Sequence, residues 1–213
     1  MRRWIWQDMA QTEPPPLFLA ADPRTHTCSQ PHPRPTAPYY VGVWPAHPTC
    51  GLVDPTVKGG VTDSTYMDGA YGVAFDSARN IAYVVGANSK SLAVVDVSNP
   101  ANPVLLGGVT DSTYMDYAVG VAYDSARNIA YVVGFNSDSL AVVDVSNPVT
   151  PVLLGGVTDS TYMDSARAVA FDSARNIAYV VGANSDSLAV VDVSAPASPV
   201  LLGGVTDSTY MDG

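Results

Sequence analysis

Residues 59–106 read GGVTDSTYMDGAYGVAFDSARNIAYVVGANSKSLAVVDVSNPANPVLL. The same 48-residue unit returns at 107–154 and 155–202, and its opening phrase GGVTDSTYMDG stands once more at 203–213. The first two copies agree at 41 of 48 positions, the mark of recent duplication. A repeat of this length indicates an array, a solenoid or a propeller, because one such unit buries its apolar surface only against its neighbours.

Periodicity inside the unit chooses among these. Residues 72–76, 81–86, 92–97 and 104–110 are short runs rich in Val, Ile, Ala, Tyr and Phe. SARN at 77–80 and NSKS at 88–91 separate the first three, and Asn99, Pro100 and Pro103 separate the last two. Breaks this short join antiparallel strands, whereas a β-solenoid needs parallel ones, so each unit reads as a four-stranded meander. The runs IAYVV and LAVVDV are nearly continuous rather than alternating, which means that both faces of each sheet are covered. Four-stranded sheets stacked around an axis make a β-propeller. The expectation is therefore all-β: a partial β-propeller of three four-stranded antiparallel blades plus one extra outer strand, over residues 55–213.

The phrases LAVVDVSNPANPVLLGG, LAVVDVSNPVTPVLLGG and LAVVDVSAPASPVLLGG resemble the LVIVD repeat, and ARNIAYVVGANS followed by LAVVDV is similar to the YVTN-type propeller repeat. The resemblance covers roughly residues 55–213. It implies blades of multi-bladed propellers, common on prokaryotic cell surfaces and in secreted proteins, and it implies almost nothing about activity. The unit here is longer than the family's by several residues, chiefly through VTDSTYMD.

Phase and closure follow from the count. Pro55 is in register with Pro103, Pro151 and Pro199, so PTVKGGVTDSTYMD reads as the outer strand of a blade whose other strands are missing. Three blades are too few to close an ordinary ring. If each open flank exposes about six apolar side chains, burial on the order of 10 kcal/mol is forgone per flank, comparable with the stability of a domain. Self-association through the open flanks, or a longer natural chain, is expected.

Residues 1–54 differ sharply from the repeats. All three His, both Cys, all three Trp and eleven of the seventeen Pro lie before residue 59. Prolines this frequent remove backbone donors and fix φ, so this Pro-rich leader reads as extended or disordered. His26, Cys28, His32, His47 and Cys50 have zinc-ligand chemistry without a zinc spacing, and Cys28 with Cys50 is a candidate disulfide. The first residues begin basic and partly apolar, but Gln7, Asp8, Glu13 and three prolines interrupt the run, which is not the form of a secretory signal. No stretch has the length of a membrane span. From Gly59 onward sixteen Asp face five Lys and Arg. So acidic a surface argues against nucleic acid and suits a cationic partner, a metal ion or solubility.

Candidate contacts come from comparing the copies with one another. They differ at Gly69, Tyr117 and Ser165, at Tyr71, Val119 and Arg167, at Ala87 and Phe135, and at Lys90 and Asp138. These positions fall in the link entering the first strand and in the turn between the second and third strands, two connections that a meander places on one rim. Tyr71, Tyr117, Phe135, Arg167, Lys90 and Asp138 are therefore the candidate binding residues, for a protein or small-ligand partner. Asp63, Asp68, Asp111, Asp116, Asp159 and Asp164 recur beside Ser and Thr and suit calcium chemically, although no dense calcium-loop spacing is present. Asp68, Asp116 and Asp164 are the calcium candidates, and no other cofactor is expected. The repeats contain no His, Cys or Glu and no nucleophile motif. A non-enzymatic binding scaffold is the first reading. The alternative is a metal-dependent propeller hydrolase, lactonase-like, with Asp and Asn ligands; near-identical blades supply little of the asymmetry such a site needs.

Overall fold

The computed structural model describes residues 56–209. The leader readings, the zinc candidates and the Cys28–Cys50 disulfide lie outside the described residues. Among the described residues there are twelve strands and no helix, and so none long and apolar enough to cross a membrane. Strands β1 Ala70–Asp76, β2 Ile81–Gly86, β3 Ser91–Asp96 and β4 Val104–Thr110 form the first sheet, in chain order and antiparallel throughout. The second sheet contains β5 Ala118–Asp124, β6 Ile129–Gly134, β7 Ser139–Asp144 and β8 Val152–Thr158. The third contains β9 Ala166–Asp172, β10 Ile177–Gly182, β11 Ser187–Asp192 and β12 Val200–Thr206.

Local chemistry fixes the hairpins. Asp76 closes β1 and accepts the backbone N–H groups of Ala78 at 2.9 Å and Arg79 at 3.2 Å through Oδ1. Asn80 then takes φ 54°, a left-handed conformation that Asn tolerates better than most residues, and Asn128 and Asn176 repeat it. After β3, the N–H of Ser98 returns to Asp96 Oδ1 and that of Asn102 to the Asn99 carbonyl, turning the chain before Pro103.

Each blade has two unlike faces. In the first blade Ile81, Tyr83, Val85, Leu92 and Val94 form a face of large side chains. It packs on the small face of the second blade, built from Ala130, Val132, Ala141 and Val143, with Met115 and Ala118 supplied by the incoming link. Ile129, Tyr131, Val133, Leu140 and Val142 meet Ala178, Val180, Ala189, Val191, Met163 and Ala166 in the same way. Large against small lets the sheets interdigitate, and Tyr83 and Tyr131 reach 0% exposure. First strands β1, β5 and β9 lie against one another in succession, as the inner strands of a propeller do. Their approach is close: a Cβ built on Gly72 would stand 2.5 Å from the Val119 carbonyl oxygen, so this inner edge requires glycine.

One expectation needs correction. The extra outer strand is not formed, because residues 56–63 belong to no ladder and Val57 is 93% exposed. An outer strand pairs with the third strand of its own blade, as β4 pairs with β3, and among the described residues no third strand precedes this segment. The outward faces of the first and third blades expose several apolar side chains, although Ala93 and Val95 of the first are buried. Val73 and Phe75 on the first blade are 66% and 56% exposed, and Val181 and Leu202 on the third are 43% and 60% exposed, where their counterparts inside the stack are partly or fully buried.

Candidate functional site

The link into each first strand and the turn between the second and third strands meet on one rim. Backbone bonds hold them together: the N–H of Ala87 donates to the Gly69 carbonyl at 3.0 Å, that of Phe135 to Tyr117 at 3.0 Å, and that of Ala183 to Ser165 at 3.3 Å. Between them the first strand carries a bulge. Ala118 faces Gly134 and Gly120 faces Val133, which leaves Val119 unpaired; Arg167 is unpaired in β9 by the same shift, and β1 shifts between Ala70 and Val73. A bulge re-aims the side chain it carries, here those of positions 71, 119 and 167.

Four of the six candidate residues converge. The Tyr71 and Tyr117 ring centroids are 6.0 Å apart, those of Tyr117 and Phe135 are 5.8 Å apart, and the Arg167 guanidinium carbon lies 5.1 Å from the Phe135 centroid. With Val119 and Asn136 they line a cavity of about 430 Å³ that crosses all three blades. Tyr117 reaches this position at φ 57°, where the first blade has Gly69 and the third has Ser165. For a bulky residue the left-handed region costs about 1–2 kcal/mol, a strain of the kind that collects at functional sites.

Lys90 and Asp138 lie elsewhere. Lys90 Nζ pairs with Asp116 Oδ1 at 3.0 Å, and Asp138 Oδ1 accepts the N–H of Ser165 at 2.9 Å. Both tie one blade's turn to the next blade's link. Nor do the calcium candidates converge, since no three of His, Cys, Asp or Glu form a group that could hold a metal among the described residues. Asp63, Asp111 and Asp159 each accept two backbone N–H groups of their own turn. Asp68 and Asp164 receive the amides of Asn88 and Asn184, and Asp116 holds Lys90.

A second constellation, on the SARN turns, was read from the sequence only as turn chemistry. Arg79 Nε bonds Asp76 Oδ2 at 2.6 Å, Nη1 donates to the Val145 carbonyl of the next blade at 3.1 Å, and Nη2 donates to the phenol oxygens of Tyr83 and Tyr123 at 2.6 and 2.8 Å. Arg127 repeats this with Asp124, Val193 and Tyr131, and its guanidinium covers Phe171 where Arg79 covers Tyr123. Burial pushes the Asp76 carboxyl up, but the bonds from Arg79, Tyr123 and two backbone N–H groups outweigh it and hold it below its ordinary value. Burial raises the phenol of Tyr83 and carries that of Tyr131 up to about 12. The available signal was an Asp three residues before an Arg at every first turn.

The LVIVD repeat model matches residues 80–111, 127–159 and 175–207, each from the end of the first turn to the residue after the fourth strand. No curated protein matches the chain. Similar solved structures include a protein from Lactobacillus plantarum, 18% identical with TM-score 0.56 over 64% of this chain and 42% of that one. A functionally unknown protein from Desulfotomaculum acetoxidans is 12% identical with TM-score 0.56, covering 65% of this chain and 43% of that one. The periplasmic gluconolactonase of Pseudomonas aeruginosa is 14% identical with TM-score 0.55, covering 65% and 41%. At these identities the likeness concerns the fold, and the chain spans about two fifths of each structure's length. Over residues 80–207 the chain belongs to the LVIVD-repeat family and folds as blades of a β-propeller.

Proposed function

We propose that the chain is a non-enzymatic binding scaffold whose site is the rim groove of Tyr71, Tyr117, Phe135 and Arg167. What carries this reading is that positions at which near-identical copies differ come together in one cavity, with Tyr117 held there against backbone strain. Three aromatic rings offer flat apolar faces, and Tyr and Arg are the residues most often found at the energetic centre of interfaces. Arg167 adds a planar cation that selects a carboxylate. The ligand is therefore a flat apolar group bearing a carboxylate, as an aromatic or prolyl residue next to an acidic group on a partner protein provides.

Phenylacetate, phenylacetamide and phenethylamine, titrated by ligand-observed NMR, test this. Phenylacetate binds best, Arg167→Gln removes its advantage over the amide, and Tyr117→Gly abolishes binding while leaving stability within about 1 kcal/mol, because strain relief offsets the lost ring contacts. Preference for the amine, or binding indifferent to both substitutions, refutes the proposal. The hydrolase alternative rests on fold likeness to a gluconolactonase; turnover of a lactone that depends on added calcium or zinc would favour it instead.

A further inference from the structure

Within the rim groove the second blade alone carries rings at both variable positions. Tyr117 and Phe135 stand where the first blade has Gly69 and Ala87 and the third has Ser165 and Ala183. Tyr71 flanks this pair from the first blade and Arg167 from the third. The result is two slots that share Tyr117, walled by rings whose centroids are 6.0 and 5.8 Å apart and whose planes are tilted by 56° and 59°. We infer that the groove takes a polyproline II segment of a partner protein, with two adjacent prolyl rings in the two slots and an acidic residue at the Arg167 end. This rests on the groove being the binding site, as proposed above, and adds which kind of chain occupies it.

Spacing and charge favour this occupant. A polyproline II helix rises about 3.1 Å and turns a third of a circle per residue, which sets neighbouring prolyl rings roughly 5–6 Å apart. The ring spacings above put the two slots at most about 6 Å apart. An extended strand sets its same-face side chains about 6.5–7 Å apart and turns the one between them away. A helix, about 10–12 Å across, offers a recess of about 430 Å³ only its side-chain tips. Arg79, Arg127 and Arg175 each hold an Asp, whereas Arg167 makes no ion pair among the described residues of a chain with net charge −10. It is exposed and lies 5.1 Å from the Phe135 centroid, so an acid arriving from outside has no internal rival.

A polyproline II chain has no internal hydrogen bonds, so its carbonyls accept from the donors that line a groove. Here the donor is the Asn136 amide, and a residue of another blade frees it. Asn88 and Asn184, the same residue in the first and third blades, donate their side-chain amides to Asp68 and Asp164 at 3.3 and 3.4 Å. In the second blade the corresponding carboxylate is Asp116, and Lys90 Nζ holds it at 3.0 Å. The Asn136 side chain is thereby left without a partner among the described residues, beside the rings of the groove. Lys90 stands where the other copies have Asp138 and Asp186. It is a positioning residue: it touches no ligand and draws off the acid that would otherwise take the Asn136 amide. Variation among the copies then has one reading, in which positions 71, 117 and 135 build the slots, 167 brings the charge and 90 releases the donor.

Chemical-shift titration of the full chain with acetylated, amidated peptides tests this. The probes are four prolines with a glutamate at one end or the other, the same pair with glutamine, and versions with alanine for proline. The better-placed glutamate peptide binds about tenfold more tightly than its alanine version, because the prolyl chain is already in its bound form. It binds about two- to fivefold more tightly than its glutamine version. Arg167→Gln erases the second difference and keeps the first. With the uncharged glutamine peptide, Asn136→Ala weakens binding about three- to tenfold. Lys90→Asp, the residue that folds at 138 and 186, weakens it comparably, and the two together cost no more than Asn136→Ala alone. Alanine or glutamine peptides that bind as well, or losses from Lys90→Asp and Asn136→Ala that add, overturn the inference. Phenylacetate separates it from the groove reading: if phenylacetate binds and the prolyl peptides do not, the polyproline partner falls and the groove stands, and if neither binds both fall.

Discussion

Replacing Arg127 by Met keeps the aliphatic stem in the joint between the second and third blades and removes the guanidinium. Asp124, 3% exposed, loses its counter-charge at 2.6 Å and keeps only the N–H groups of Ala126 and residue 127. The Val193 carbonyl and the Tyr131 phenol lose donors at 2.9 and 2.7 Å. Breaking a buried ion pair by removing one partner costs about 3–5 kcal/mol, and the guanidinium is about one quarter exposed, so the lower end applies. A loss of about 3 kcal/mol against a total of about 5–15 moves a urea midpoint by about 1.5 M, followed by far-UV circular dichroism. Arg175→Met is the internal control: local sequence and Asp partner are the same, but no blade covers it, and at concentrations too low for association its midpoint is that of the wild type. A loss below about 1 kcal/mol for Arg127→Met, or equal losses for the two variants, would refute the view that these arginines act across the joint rather than within their turns.

Acid and alkali probe the same joints from two sides. The Asp76 carboxyl is depressed in the fold, so its contribution is fully present above its ordinary value of 3.8 and is lost as pH falls through the lower folded value; Asp76→Asn flattens that part of the acid unfolding curve. The Tyr131 phenol is raised, so stability is intact below about pH 10 and falls as pH rises toward about 12; Tyr131→Phe removes this alkaline step. At the inner edge, Gly72→Ala places a methyl against the Val119 carbonyl and costs about 1–3 kcal/mol, whereas Gly60→Ala, with nothing near, leaves the urea midpoint unchanged.

Strand positions were legible because short polar breaks between apolar runs leave a chain few ways to turn. The observed strands begin and end within about two residues of the runs read from the repeat. The convergence of Tyr71, Tyr117, Phe135 and Arg167 was legible only in part. Variation among copies marked the positions, but the bulge that aims 71, 119 and 167 is a register shift between two strands, and no single strand records it. Lys90 and Asp138 varied for a different reason, since each meets a different link residue on the next blade. The segment at 56–63 resembled β4 and still formed no strand, because pairing belongs to the partner as much as to the sequence. The arginine network was missed because an identical residue in every copy reads as scaffold, while its partners on the next blade lie some 44 to 66 positions away.

The last strand of every sheet straddles two copies, as Val104–Leu106 closes one and Gly107–Thr110 opens the next, so the unit that is duplicated and the unit that folds are offset along the chain. Insertion or deletion of one copy by unequal recombination therefore never leaves a sheet short of a strand in the middle of the array. Mispairing between near-identical gene segments lengthens or shortens the arc by one whole blade, and blade number becomes a trait that selection can adjust in single steps.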